Sequence, residues 1–208
     1  MDTDIAQAKA ALRIEAKARR AALTERARRM AGVVASEILF SDKGLNLFSR
    51  FRGFTSYLHV DDELPTDDIH FHLFGAQAVV IVPRWSRSAG RYAWAALLPG
   101  DVLRQGPMRI PEPSQPGVVP PSLIDVALVP GLCFDVLGGR LGHGAGVYDR
   151  LLRQLRPGTL RIGLGFACQL WRDPLPQEPH DLRMDYVVTE EQWIDCRRAR
   201  RTRRDRHA

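Results

Sequence analysis

A chain of 208 residues with 45% apolar content can bury one sizeable core and is most simply one domain. Charges, glycine or proline interrupt every apolar run well short of the ~20 residues that span a bilayer. The opening MDTDIAQAKAALR lacks the apolar centre of a secretory signal, so the expectation is a cytoplasmic protein with no membrane partner. The net charge of +6 is confined to the end, because residues 197–208, RRARRTRRDRHA, hold seven arginines against one aspartate and leave the body about neutral. They predict a disordered basic tail (197–208) behind a single domain (1–196). The tail has neither aromatic interleaving nor a hydrophobic face, so specific nucleic-acid binding is not expected from it, only weak polyanion binding. A chain ending at Cys196 is expected to keep its fold. Cys133, Cys168 and Cys196 lie far apart without a C-x-x-C, which reads as reduced thiols.

In chain order, residues 4–21 repeat Ala with Lys and Arg and predict a helix with Ile5, Ala8, Leu12 and Ala16 as its apolar stripe. Lys9 and Arg13 are four apart and project from one face. Thr24 offers an N-cap for a second helix to about Phe40, with Ala27, Met30, Ala31, Val34 and Ile38 inward. Phe54 to Val60 reads as a strand, Asp67 and Asp68 as a helix start, Ala78 to Pro83 as a buried parallel strand, and Tyr92 to Leu98 as a further strand. Met108 to Pro121 carries five prolines and reads as irregular. Asp125 to Phe134, Leu160 to Phe166 and Asp185 to Thr189 complete the strands. Their alternation with helical segments predicts a three-layer α/β/α fold, with a largely parallel sheet, N-terminal helices and ligands at the strands' C-terminal ends.

Between the strand at 125–134 and a helix beginning near Tyr148 lies Gly138-Gly139-Arg140-Leu141-Gly142-His143-Gly144-Ala145-Gly146-Val147-Tyr148-Asp149-Arg150. Glycines there free the backbone to present N–H groups, and Arg140 and Arg150 add charge, so the segment reads as a phosphate cradle. It is neither a Walker loop, lacking G-x-x-x-x-G-K-[ST], nor a Rossmann turn, since Val147 stands where the third glycine belongs. His70 and His72 are two apart without an H-E-x-x-H context, and no zinc site is expected.

The stretch VPGLCFDVLGGRLGHGAGVYDRLL resembles the signature of the 5-formyltetrahydrofolate cyclo-ligase family. Lys9-x-x-x-Arg13, Glu63-Leu64-Pro65-Thr66, Ile110-Pro111-Glu112-Pro113 and the pattern of Gln169, His180-Asp181 and Asp185 resemble other segments of that family, in order over residues 5–192. The resemblance implies ATP-dependent cyclisation of 5-formyltetrahydrofolate to 5,10-methenyltetrahydrofolate by a monomer. Lys9, Arg13, Arg140 and the loop Gly142, His143, Gly144, Ala145, Gly146, Val147 and Tyr148 are then expected to bind ATP, with Arg140 and Lys9 catalytic. Leu58, Glu63 and Tyr148 are expected to contact the folate, and Asp149 and Asp185 to hold Mg²⁺. Ala145 and Val147 depart from the family pattern, Ala resisting positive φ and Val unable to stack. They support the alternative of a non-catalytic, cyclo-ligase-like binding module.

Overall fold

The computed structural model describes residues 2–115 and 117–205. Helix α1 (Asp2–Ala21), free of Gly and Pro, buries Lys9, Ala16 and Arg20. Thr24 caps α2 (Glu25–Leu39), its hydroxyl accepting from the Ala27 N–H at 3.2 Å. The buried stripe of α2 is Ala31, Ala35, Ser36 and Leu39, while Ala27 and Met30 face solvent. The small residues turn inward because α2 packs on α4, where Ser36 Oγ lies 3.3 Å from His72 Nδ1. Short α3 (Asp42–Phe48) follows.

β1 (Gly53–Thr55), α4 (Asp67–Gly75), β2 (Val79–Ser86) and β3 (Arg91–Leu97) come next, and β4 (Leu103–Gln105) and β5 (Pro111–Pro113) form a separate hairpin. The first strand is shorter than expected, since residues after Ser56 leave the sheet to wall a cavity. The proline-rich region is likewise not wholly irregular, because a two-stranded hairpin tolerates prolines at its edges. The predicted single strand over 125–134 divides into β6 (Val126–Pro130) and β7 (Cys133–Asp135), which belong to different sheets. The chain turns at Gly131 so that the Phe134 ring lies against Gly131 and Gly163, where a Cβ would come within 2.7 and 2.5 Å of it. The remaining elements are β8 (Arg140–Leu141), α5 (Val147–Leu152), β9 (Leu160–Leu164), β10 (Leu170–Trp171), β11 (Tyr186–Val188), β12 (Trp193–Asp195) and α6 (Cys196–Asp205).

The seven-stranded sheet has the order β12-β11-β9-β6-β1-β2-β3. Its inner strands are all parallel, and β3 and β12 run antiparallel at the edges. Alternation divides the strand residues between the two faces. Val80, Val82, Val126, Leu128 and Ile162 join the core made with α2 and α4, while Ile81, Ala127, Val129 and Val187 face the clusters that include α5 and Cys196.

Residues 196–205 form a helix where the sequence reads as a disordered tail. Arginine is a good helix former, and this one is attached to the body. Cys196 is buried, the Arg197 guanidinium lies 4.6 Å from the Tyr186 ring centroid, and Arg200 Nη1 donates to Leu137 O at 2.7 Å and Met184 O at 3.0 Å. Residues 206–208 lie outside the described residues. No helix among the described residues is long and apolar enough to cross a membrane.

Candidate active site

A cavity of about 450 Å³ opens where β1 and β6 end, beside β2. Tyr57, Leu58 and Glu63 line it after β1, Pro83 from β2 and Pro130 from β6. Met108 and Ile110 reach it from the β4–β5 hairpin, and Lys9 and Arg13 from α1. The loop from Arg140 to Asp149 closes one side, and Glu178, His180 and Asp181 complete the wall. The structure thus brings together every sequence-predicted site residue except Asp185.

The loop takes its shape from Gly144 (φ 102°) and Gly146 (φ 66°), which carry the left-handed turns. Ala145 between them is not among the positive-φ residues, so the alanine is unstrained there. Val147 is buried beside the cluster of Ile81, Tyr92 and Trp94 and acts as core, not as a stacking surface. Arg13 Nε donates to Gly142 O at 3.0 Å and ties α1 to the loop. Arg150 does not face the cavity; its Nη2 donates back to Ala145 O at 3.0 Å.

Arg140, its side chain 5% exposed, donates to Asp149 Oδ1 at 2.5 Å and to Pro130 O at 3.1 Å. Lys9 is 6% exposed and its Nζ lies 2.6 Å from Glu178 Oε2 and 2.5 Å from Asp181 Oδ2. Burial alone would lower the Lys9 pKa, but the hydrogen bonds and charges of Asp181 and Glu178 outweigh it and raise the pKa. Burial likewise opposes ionisation of Asp181, yet the Lys9 hydrogen bond holds its carboxyl below the ordinary range. This wall is therefore a fixed cation between two carboxylates. The ligand atoms of Glu178, His180 and Asp181 lie within 4.8 Å of one another.

Elsewhere in the lining, Glu63 Oε2 accepts from the Val60 N–H at 3.2 Å, and Oε1 lies 3.7 Å from His143 Nε2. The Tyr148 hydroxyl is enclosed without a hydrogen-bond partner among the described residues. Burial, and then the nearby Glu63 charge, hold its pKa well above the ordinary value, leaving it a neutral donor.

Asp185 is the correction. It immediately precedes β11, which runs parallel to β9, so it sits at the sheet's other end. Its Oδ2 accepts from the Arg161 N–H at 2.9 Å, and it cannot share an ion with Asp149 in this cavity. The carboxylates that do enter are Asp181 and Glu178, missed as site residues although His180-Asp181 is part of the recognised pattern. Residues 172–185 contain no helix or strand, so no periodicity marks which acidic group turns inward. Met108 and Ile110 were also missed, since a proline-rich connection carries no signal of where it folds back.

An open, largely parallel sheet with a cavity at its strand ends, lined by a glycine loop, buried cations and carboxylates, defines the class as an α/β protein with its candidate site at the strand ends. The profile of the 5-formyltetrahydrofolate cyclo-ligase family matches residues 5–190, and the chain belongs to that family. It is 40% identical over 94 residues to the 5-formyltetrahydrofolate cyclo-ligase of Saccharomyces cerevisiae, covering 42% of this chain and 44% of that one. To the Escherichia coli K12 protein of the same name it is 34% identical over 137 residues, covering 64% of this chain and 75% of that one. The solved structure of Aquifex aeolicus 5,10-methenyltetrahydrofolate synthetase superposes with a TM-score of 0.78 at 27% identity, covering 91% of this chain and 93% of that one.

Proposed function

We propose that the protein converts 5-formyltetrahydrofolate and ATP to 5,10-methenyltetrahydrofolate, ADP and phosphate. The observation that carries this reading is the convergence of Lys9, Arg13, Arg140 and the glycine loop on one cavity that Glu63, Leu58 and Tyr148 also line. The formyl oxygen attacks the γ-phosphorus of ATP and the bond to ADP breaks. N10 then attacks the activated formyl carbon and gives up its proton, and the carbon–oxygen bond breaks so that the oxygen departs in phosphate. The chain's part in this is positioning and charge neutralisation, because the transferred phosphoryl group spreads negative charge over its oxygens.

Arg140, Arg13 and Lys9 supply that charge, with the loop N–H groups from Gly142 to Tyr148 and the His143 side chain around the phosphates. Glu63 accepts hydrogen bonds from the pterin, Tyr148 donates one, and Leu58 packs on the ring. Mg²⁺ brought with the nucleotide would further neutralise phosphate charge, and Glu178 and Asp181, grouped with His180, or separately Asp149, would offer it hard oxygen donors. One chain supplies every group named, consistent with a monomer. The non-catalytic alternative is weakened because Ala145 is unstrained and because the family and the named relatives are cyclo-ligases.

The test is phosphate release by the purified protein. It should require ATP and 5-formyltetrahydrofolate together and match methenyl formation one for one. ATP hydrolysis indifferent to folate, or no turnover at all, would contradict the reading.

A further inference from the structure

Away from the cavity, α6 borders a second groove of about 670 Å³, which Lys43 of α3, Arg172 after β10, and Arg198 and Arg203 of α6 also line. All four are exposed at the surface, as is Arg201. The groove lies near Asp195, which pairs with Tyr186 at the start of β11, so it belongs to the end of the sheet opposite the strand ends that open the cavity. Asp195 is the carboxylate in its wall, and its Oδ1 is engaged by the Arg198 N–H at 2.9 Å. No ion pair to Lys43, Arg172, Arg198 or Arg201 occurs among the described residues.

These cations are held rather than solvated on a loose tail. Arg197 and Arg200, three residues apart, occupy the face of α6 that docks on Tyr186, Leu137 and Met184. Docking that face directs Arg198, Thr202 and Arg203 to the groove. Arg198 and Arg203 are separated by roughly 7.5 Å along the axis, and Lys43 and Arg172 approach from other segments. One phosphate is too small to meet Lys43, Arg172 and Arg198, which come from three segments; a chain of phosphates is not. Guanidinium groups pair with phosphate in a bidentate fork. The outward face of α6, Arg198, Arg201, Thr202 and Arg203, has no apolar residue to enter a bilayer.

We propose that this groove binds the phosphate backbone of single-stranded nucleic acid, by charge and without sequence readout. The family match ends at residue 190, before α6 begins, so this function is additional to the cavity's.

The experiment is fluorescence anisotropy of a labelled oligouridylate with the full chain across a salt series. It compares wild type with Lys43→Glu/Arg172→Glu/Arg198→Glu and with an equally charged control reversed elsewhere, Arg26→Glu/Arg87→Glu/Arg91→Glu. Wild type should bind at low salt, with log affinity falling by roughly 0.7 per phosphate neutralised for each decade of salt. The groove variant should lose at least tenfold in affinity and show a shallower slope, the control should stay within about threefold, and both should keep phosphate-releasing activity and the wild-type circular dichroism. The proposal is overturned by absence of binding at low salt, by equal losses in the two variants, or by phosphatidylserine vesicles being bound in place of the oligonucleotide.

Discussion

Arg140 is more deeply enclosed than its partner, with side-chain exposures of 5% against 37% for Asp149. A guanidinium stays charged at any working pH, so the site keeps a permanent cation beside the loop. Arg140→Ala should lower kcat by about 10² and raise the KM for ATP, and Arg140→Lys should recover part of the loss; an Ala variant with wild-type kinetics would remove Arg140 from the site. The carboxylates make a sharper comparison, because Asp149→Asn and Asp181→Asn are expected to raise the Mg²⁺ concentration needed for half-maximal rate, whereas Asp185→Asn should leave it unchanged. Equal shifts in all three would contradict the placement of Asp185 at the far end of the sheet. Asp181 also sets a pH dependence. Its folded pKa is depressed below the ordinary 3.8, so its contribution is present above that value and lost as pH falls through the folded pKa. The stability gap between wild type and Asp181→Asn, measured by urea unfolding, should therefore hold from pH 7 to about 4 and close below it. A gap unchanged down to pH 2 would mean the Lys9 pair does not lower that pKa. The glycine loop was legible because its composition bears its chemistry, and Lys9 and Arg13 only through the family resemblance, since two cations four apart on a helix read equally as a solvated face; Asp181 and Asp185 differ only in where an irregular connection turns.

At the scale of elements, helix α1 and the parallel strands could be read from composition and continuous apolar runs. The break after Pro130 could not be, because a close contact of Phe134 with Gly163, remote in sequence, decides it. Gly163→Ala would place a methyl group about where the ring now lies, 2.5 Å from the nearest ring atom. Overpacking of this kind costs roughly 1–3 kcal/mol, and a Tm equal to wild type would count against the contact. Helix α6 escaped detection because its arginine-rich sequence lacks an apolar stripe, and its attachment is made by arginines to carbonyls and an aromatic ring. Arg200→Ala leaves two carbonyl groups without their charged donor. A loss of about 1.5–3 kcal/mol and a matching fall in Tm are expected, with turnover unaffected. Truncation after Cys196 should cost at least as much, in place of the neutral outcome that a disordered tail implies; unchanged stability would show that α6 does not hold to the body.

For the whole molecule, the alternation of strands and helices led to a mixed α/β fold with ligands at the strand ends, and the cavity lies at those ends. Which segments meet there is a property of the topology, since the sheet's crossovers bring α1, the turn after β1 and the loop before α5 to one place from separate parts of the chain. The central claim is that this cavity is divided, with a phosphate side at Arg140 and a pterin side at Glu63. Steady-state kinetics of methenyl formation, varying ATP and 5-formyltetrahydrofolate independently in Arg140→Lys and Glu63→Gln, test it directly. The expected result is a crossed pattern, Arg140→Lys raising the KM for ATP several-fold and Glu63→Gln raising that for 5-formyltetrahydrofolate, each leaving the other constant within about twofold. Both variants weakening the same substrate, or neither constant moving, would contradict the claim.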